Sequence, residues 1–186
     1  IGAEIYSRIL DWKDRSTCVL FGDGAGAVVL EAVESNNDLS EKGMLSSVIG
    51  SDGSCYDSLF VDGGVATTGQ AGFVRMAGQD VFRQAVSRMS SSVDEALSRA
   101  GLDRDKLDWL VPHQANIRII DKVGQKLGLP REKVIITVQE HANTSAATIP
   151  IALTHAVKNG KFKDGDIVAL TAMGGGFTWG AIVLRW

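Results

Sequence analysis

Residues 108–127 read DWLVPHQANIRIIDKVGQKL, and this stretch decides the expected fold. Its first residues form an apolar run that predicts a buried strand over 108–112, and the apolar residues that follow recur at helical spacing over 116–127. The alternation continues in four further expected elements, which are strands at 133–138, 166–173 and 179–185 and a helix at 145–159. Such an order of strands and helices predicts a layered α/β fold with a buried sheet.

The preceding part of the chain contains a long amphipathic helix and one clear strand. Apolar residues recur at helical spacing from 79 to 100, and Gly101 is expected to end this helix. An apolar run at 44–49 predicts a strand, and the Gly-, Asp- and Ser-rich stretch after it predicts a loop that extends to about Gly72.

Two apolar runs near the N-terminus, 17–22 and 26–33, predict two buried strands joined by a tight glycine-containing turn. The sequence GAVVLE at 26–31 resembles GAIVLR at 180–185, and each copy follows a strand-like run and a glycine-rich turn. This internal similarity indicates a duplicated architecture in which each half ends in such a hairpin.

The chain begins at Ile1, without an initiator Met, in a stretch that is typical of a domain interior. We therefore expect a chain that has lost its beginning. In this interpretation residues 1–36 are the end of a truncated first half, and residues 37–186 form the complete second half.

The composition fits a soluble globular protein, with 45% hydrophobic and 22% charged residues among 186. No apolar run approaches the ~20 residues of a membrane span. Residues 1–75 carry a net charge of −6 and residues 76–186 one of +3, which is too small an excess for a nucleic-acid-binding surface. Cys18 and Cys55 give neither a disulfide framework nor metal-ligand spacing, so we expect no metal site and a reducing, cytoplasmic location.

Three segments that follow predicted strands carry residues suited to catalysis, namely VPHQAN at 111–116, HANTSAA at 141–147 and MGGGF at 173–177. Because the loops at strand ends of an α/β sheet meet at one rim, we expect these segments to converge. His113 and Asn143 can each donate an N–H to a developing enolate or thioester oxyanion, and glycine amides can form a second oxyanion site. Taken singly, His113 also fits a packed structural side chain, and Asn143 also fits a helix cap.

A nucleophile is missing from this set. Cys18 lies within an apolar run and is expected in the core. Cys55 lies in a Gly- and Ser-rich loop with no adjacent histidine or helix start to activate its thiol. Neither cysteine is therefore expected to act as the nucleophile.

Five segments together resemble one family of condensing enzymes, and they are FGDGAGA at 21–27, MAGQDVF at 76–82, WLVPHQAN at 109–116, HANTSAATIP at 141–150 and GGGFTWGA at 174–181. The family is beta-ketoacyl-acyl-carrier-protein synthase III of the thiolase superfamily. The resemblance runs in order over nearly the whole chain. It implies two similar five-stranded halves, of which this chain matches the last hairpin of the first and all of the second. The expected second half is a thiolase-like five-stranded mixed sheet with helices on its faces.

The resemblance implies a Cys–His–Asn triad that condenses an acyl group from acyl-CoA with malonyl-acyl carrier protein at the start of fatty-acid synthesis. His113 and Asn143 match its histidine and asparagine, and the amide of Gly175 matches half of its oxyanion hole. The carrier-protein-binding segment matches Gln114, Ala115, Asn116, Ile117 and Arg118. Residues that line the pantetheine tunnel match Gly78, Phe82 and Asn116.

No cofactor beyond the coenzyme A thioester substrate is implied, and the full-length form is expected to be a homodimer. Arg118, Lys122 and Lys126 recur at helical spacing and predict a basic stripe for the acidic carrier protein.

The chain departs from the family pattern at three points. The catalytic cysteine motif is absent, so the chain alone is expected to be inactive. Met173 stands where a phenylalanine beside the active site is common, and His141 is interpreted as a local variant where glycine is frequent. His155 is expected on the surface or in packing.

Two alternatives to this function stay open. One is a related thiolase-superfamily enzyme acting on another CoA thioester. The other is a non-catalytic fragment that serves dimerisation or partner binding.

Overall fold

The computed structural model describes residues 1–36 and 38–186. The strands are β1 (Gly2–Glu4), β2 (Gly24–Gly26), β3 (Gly43–Ser51), β4 (Leu59–Val61), β5 (Val74–Met76), β6 (Trp109–Pro112), β7 (Ile167–Gly174) and β8 (Thr178–Arg185). The α-helices are α1 (Gly78–Arg99), α2 (Ile117–Lys126), α3 (Val138–His141) and α4 (Thr148–Lys158). None of the helices in the described part of the chain is long and apolar enough to cross a membrane.

The central sheet has the strand order β3-β8-β7-β6. Strands β6 and β7 run parallel, whereas β8 pairs antiparallel with both β7 and β3. Parallel and antiparallel pairs therefore coexist, and the expected mixed sheet of an α/β fold is confirmed.

Helices cover both faces of this sheet. The apolar sides of α1 and α2 pack on one face, where Met89, Val93 and Ile120 are fully buried. Helix α4 packs on the opposite face through residues that include Ala152 and Ala156. Because side chains alternate across a strand, Val168 of β7 contributes to the α4 side and Ala169 to the other.

The strongly periodic elements lie where the sequence pattern predicts them. Helices α1, α2 and α4 and strands β3, β6, β7 and β8 all match expected elements, with bounds that differ by a few residues. Pro150 falls in the first turn of α4, where a proline removes no intrahelical hydrogen bond.

The strand expected at 133–138 is wrong, because only Val134 pairs, through a single parallel bridge with Leu110. The backbone from the carbonyl of Ile135 to the N–H of Val138 then forms hydrogen bonds with the side chain of Gln114 instead of with a neighbouring strand. Gln114 Oε1 accepts from the N–H groups of Thr137 (2.8 Å) and Val138 (3.2 Å), and its Nε2 donates to the carbonyl of Ile135 (3.1 Å). These hydrogen bonds replace the ladder of a fifth strand, so the described sheet has four strands rather than five.

The buried N-terminal hairpin expected at 17–22 and 26–33 is also wrong. Residues 14–20 form turns that start at Asp14, whose carboxylate accepts from the N–H and hydroxyl of Ser16. Strand β2 ends at Gly26, and the apolar side chains of 28–30 are exposed. Strand propensity alone forms no sheet at 27–33, because no described strand pairs with the residues that follow Gly26.

The predicted loop after β3 contains more structure than expected. Strands β4 and β5 form a short antiparallel pair within and just after it. The expected boundary between residues 1–36 and 37–186 falls at residue 37, which lies outside the described residues, so this division stays a proposal.

Candidate active site

A cavity of about 1040 Å³ opens at the carboxyl ends of β6 and β7. Its wall includes His113, Asn143 and Gly175, one from each of the three segments that sequence reasoning expected to converge. Apolar side chains form much of the remaining wall, and they include Leu20, Phe21, Leu59, Val81, Met89 and Met173. The cavity thus combines a few polar groups with an apolar lining, as small-molecule sites generally do.

His113 is held by hydrogen bonds at both its backbone and its ring. It follows β6 directly, and its N–H donates to the carbonyl of Thr171 on β7 (2.7 Å). The ring Nδ1 lies 2.7 Å from the hydroxyl Oγ1 of Thr148 at the start of α4. The side chain is surrounded by protein except on its cavity side, and this burial lowers the pKa of His113 to about 4. The imidazole is therefore neutral near pH 7.

The burial of His113 should make the fold sensitive to acid. Above pH 6.5, the ordinary pKa of histidine, both the folded and the unfolded chain hold a neutral imidazole. Between pH 6.5 and 4 only the unfolded chain binds the proton, so the free energy of unfolding should fall by about 3 kcal/mol across this window. Denaturant titrations from pH 7 to 4 measure this loss, and a His113→Gln variant should lose about 3 kcal/mol less. Parallel curves for both proteins would contradict the assignment.

Asn143 is buried, and both ends of its side chain can be assigned. Its backbone bridges to the N-terminal segment, since its N–H donates to Leu20 and its carbonyl accepts from Gly22. The side-chain Oδ1 accepts from the N–H of Ser145 two residues later (2.9 Å), which fixes the loop locally, whereas the N-cap of α4 is Ala147 and not Asn143. Among the described residues no group accepts from Nδ2, which leaves this N–H₂ as a donor on the cavity wall.

The loop that carries Asn143 has an unusual backbone. Ala142 and Ser145 both have positive φ, 57° and 47°, a backbone conformation that residues other than glycine adopt at a cost in free energy. The glycine-favouring position is thus Ala142, not His141, and the exposed His141 does not line the cavity. The N-terminal segment supports this loop closely, because a Cβ at Gly2 would lie 2.3 Å from the carbonyl oxygen of Ala146.

Gly175 lies at the tip of the hairpin between β7 and β8. No described group accepts its backbone N–H, which remains available to a ligand. A Cβ at this position would lie 2.9 Å from the carbonyl oxygen of Leu59, so a side chain would force the hairpin tip away from β4. Met173, two residues earlier, is buried and lines the cavity, as expected of a residue beside the site.

Residues of α1, of α2 and of the turn before α2 line the same cavity, among them Gly78, Phe82, Ala115, Asn116, Ile117 and Arg118. Asn116 caps α2 through its Oδ1, which accepts from the N–H of Ile119 (3.0 Å). The guanidinium carbon of the exposed Arg118 lies 5.8 Å from the centre of the Phe82 ring. Lys122 and Lys126 are exposed on the same helix, so the predicted basic stripe is open to solvent.

Gln114 needs a correction, because its side chain is not on this surface. It is 1% exposed, and all of its polar atoms bond to backbone groups inside the protein. Its side chain therefore supports the turn after β6 and cannot contact a carrier protein in this conformation.

Neither cysteine lines the cavity. Cys18 is half-buried in the turns after Asp14, so its expected core position is wrong. Cys55 lies in a 3₁₀ turn (Gly53–Ser58) and packs against the main core. The described residues also contain no group of three or more His, Cys, Asp or Glu side chains placed to hold a metal ion.

Sequence reasoning missed the residues that reach the site from a distance in the chain. Thr148 contacts His113 across 35 positions, and a stacked pair, Tyr6 and Phe21, lines the cavity from the N-terminal segment with ring centres 4.6 Å apart. Burial raises the pKa of the Tyr6 hydroxyl. No local pattern signals such contacts, because each depends on how distant segments pack.

Comparisons with known proteins agree on one family. A family model described as 3-oxoacyl-(acyl-carrier-protein) synthase III matches residues 1–53, and one described as the C terminal of the same enzyme matches 97–186. Proteins named beta-ketoacyl-(acyl-carrier-protein) synthase III from Agrobacterium fabrum and Allorhizobium ampelinum are 58% and 57% identical over this whole chain, which covers 58% of each.

Solved structures give the same result. The crystal structure of 3-oxoacyl-(acyl carrier protein) synthase III from Pseudomonas aeruginosa has a TM-score of 0.90 and 45% identity, with 99% of this chain and 56% of that one covered. A priming beta-ketosynthase of the R1128 polyketide pathway has a TM-score of 0.82 and 30% identity, with 98% and 55% covered. The chain spans a little over half the length of these relatives, and it belongs to the 3-oxoacyl-(acyl-carrier-protein) synthase III family.

Proposed function

We propose that this chain supplies the decarboxylation half of a condensing site that joins an acyl group from acyl-CoA to malonyl-acyl carrier protein. The observation that carries the proposal is the position of His113, Asn143 and Gly175 on one cavity wall. The neutral imidazole and the free Asn143 amide can each donate an N–H to an enolate oxygen as its negative charge develops. Neither group brings the full positive charge that would favour the binding of a stable anion.

The proposed reaction begins with an acyl group bound as a thioester to a cysteine. The malonyl thioester then loses carbon dioxide, and the electrons of the broken C–C bond move into an enolate whose oxygen accepts from His113 and Asn143. The enolate carbon attacks the acyl carbonyl, a C–C bond forms, and the cysteine leaves as a thiolate. In this proposal the N–H of Gly175, which lines the cavity, donates to the oxygen of the tetrahedral intermediate.

The cysteine in this proposal belongs to the part of the relatives that this chain does not match. Cys18 and Cys55 both lie off the cavity wall, so the 186 residues alone are expected to be inactive. We further propose a cytoplasmic homodimer as the complete form. Two unpaired cysteines fit a reducing compartment.

The exposed α2 surface supports a carrier protein as the source of the malonyl group. Ile117 and Arg118 lie at the cavity edge, and Lys122 and Lys126 follow on the same helix. A row of cations beside a cavity mouth would favour the approach of an acidic partner.

The test uses the complete protein and malonyl-acyl carrier protein labelled in its carboxyl carbon. Labelled carbon dioxide should be released, and the carrier-bound product should be two carbons longer than the acyl group supplied as acyl-CoA. Equal use of malonyl-CoA would favour a related enzyme of the superfamily. Acyl transfer without carbon dioxide release would contradict the proposal.

A further inference from the structure

Thr148 links the ring of His113 to the backbone of the Asn143 loop. Its hydroxyl Oγ1 lies 2.7 Å from His113 Nδ1 and 2.8 Å from the carbonyl oxygen of Ser145. Thr148 is 2% exposed, and within the described part of the chain it is the sole hydrogen-bond partner of Nδ1. Water therefore has little access to this contact. The position of the single hydroxyl proton decides whether Thr148 donates to Nδ1 or accepts from it.

Two proton arrangements are possible, and they differ in which of the two short contacts of the Thr148 hydroxyl holds its single proton. If the hydroxyl donates to Ser145, Nδ1 must carry the proton of the neutral imidazole, and Nε2 is left with a lone pair. If the hydroxyl donates to Nδ1, the imidazole proton is on Nε2. In the second arrangement the carbonyl of Ser145 loses the hydroxyl as a donor across their 2.8 Å contact, but it keeps the backbone N–H of Thr148.

We propose that Thr148 is a positioning residue that donates its hydroxyl proton to Nδ1 of His113 and so keeps Nε2 protonated. This inference rests on the proposed function, in which an enolate oxygen needs donors. Asn143 already provides one, since its Oδ1 is occupied by the N–H of Ser145 and its Nδ2 is free. With Nε2–H as the second donor, one short segment, 143–148, sets the hydrogen-bonding role of both side chains.

Nitrogen NMR of the complete protein, labelled in its histidines, measures the tautomer directly. His113 should show a protonated Nε2 and an unprotonated Nδ1 at pH 7. In Thr148→Val the hydroxyl is lost with little change in shape, so both tautomers should become populated. Carbon dioxide release should fall on the order of tenfold or more, as when other partners that orient a histidine are removed.

Two further variants separate positioning from packing. Thr148→Ser keeps the hydroxyl and should restore both the tautomer and the rate. Thr154→Val makes the same change on the exposed side of α4, where the hydroxyl bonds to the carbonyl of Pro150, and should alter neither.

A protonated Nδ1 in the unsubstituted protein would overturn the inference, whatever the variants do. So would a Thr148→Val protein with an unchanged tautomer and rate. Failure of the proposed function looks different, since the unsubstituted protein would then release no carbon dioxide although its tautomer is as predicted.

Discussion

Replacing either His113 or Asn143 by alanine should slow carbon dioxide release from the malonyl thioester on the order of 10²–10³-fold, the usual cost of removing one oxyanion donor. Acyl transfer to the cysteine should be much less affected, because no malonyl enolate forms in that step. The two side chains line one cavity but lie on different loops, so each variant removes one donor and leaves the other in place.

Two assays on one protein measure this division, namely labelled carbon dioxide release and labelled acyl-enzyme formation. The matched controls are His155→Ala and Asn159→Ala, which change the same residue types at the far end of α4, outside the cavity wall. Both controls should keep both activities. If Asn143→Ala abolished acylation but spared decarboxylation, the assigned roles would be wrong. If neither variant altered either assay, a packed histidine and an asparagine that only fixes its own loop would be the better interpretation.

The parts of the fold that the sequence predicts well are those in which local pattern and tertiary packing agree. Helix α1 is amphipathic over its whole length, and its buried side meets the sheet as the period requires. Residues 26–33 show the opposite case. Their strand-like composition is strong, but a strand also needs a neighbour with free backbone groups. Within the described chain only Gly26 of this run is paired, with Gly2.

The candidate site follows the same division. His113 and Gly175 were predictable because strand ends can be located from the sequence, and strand ends meet at one rim. The contact of His113 with Thr148 could not be predicted from the sequence, because it depends on the approach of α4 to the end of β6. The resemblance to known enzymes supplied the roles of the residues but misplaced Gln114, because a motif gives positions in the chain and not the direction of a side chain.

Gln114 gives the second large effect, which is on stability. Replacing it by leucine should lower the free energy of unfolding by about 4 kcal/mol or more, because each of four buried groups left without a partner costs about 1–3 kcal/mol. Four backbone groups lose their partner, namely the carbonyls of Pro112 and Ile135 and the N–H groups of Thr137 and Val138. Leucine fills a similar volume, so the loss reports on hydrogen bonds more than on packing.

Denaturant unfolding of the complete protein measures this loss. Gln125→Leu is the matched control, since Gln125 is exposed on α2 and, among the described residues, its amide oxygen accepts only from Lys122. Its replacement should cost less than about 0.5 kcal/mol. The same two variants also test the role in carrier binding that the family motif implied for Gln114. A stable Gln114→Leu protein with a raised KM for the malonyl carrier protein would restore that role. An unstable protein whose KM is unchanged would establish Gln114 as the side chain that ends the sheet at four strands and holds the turn before Asn116.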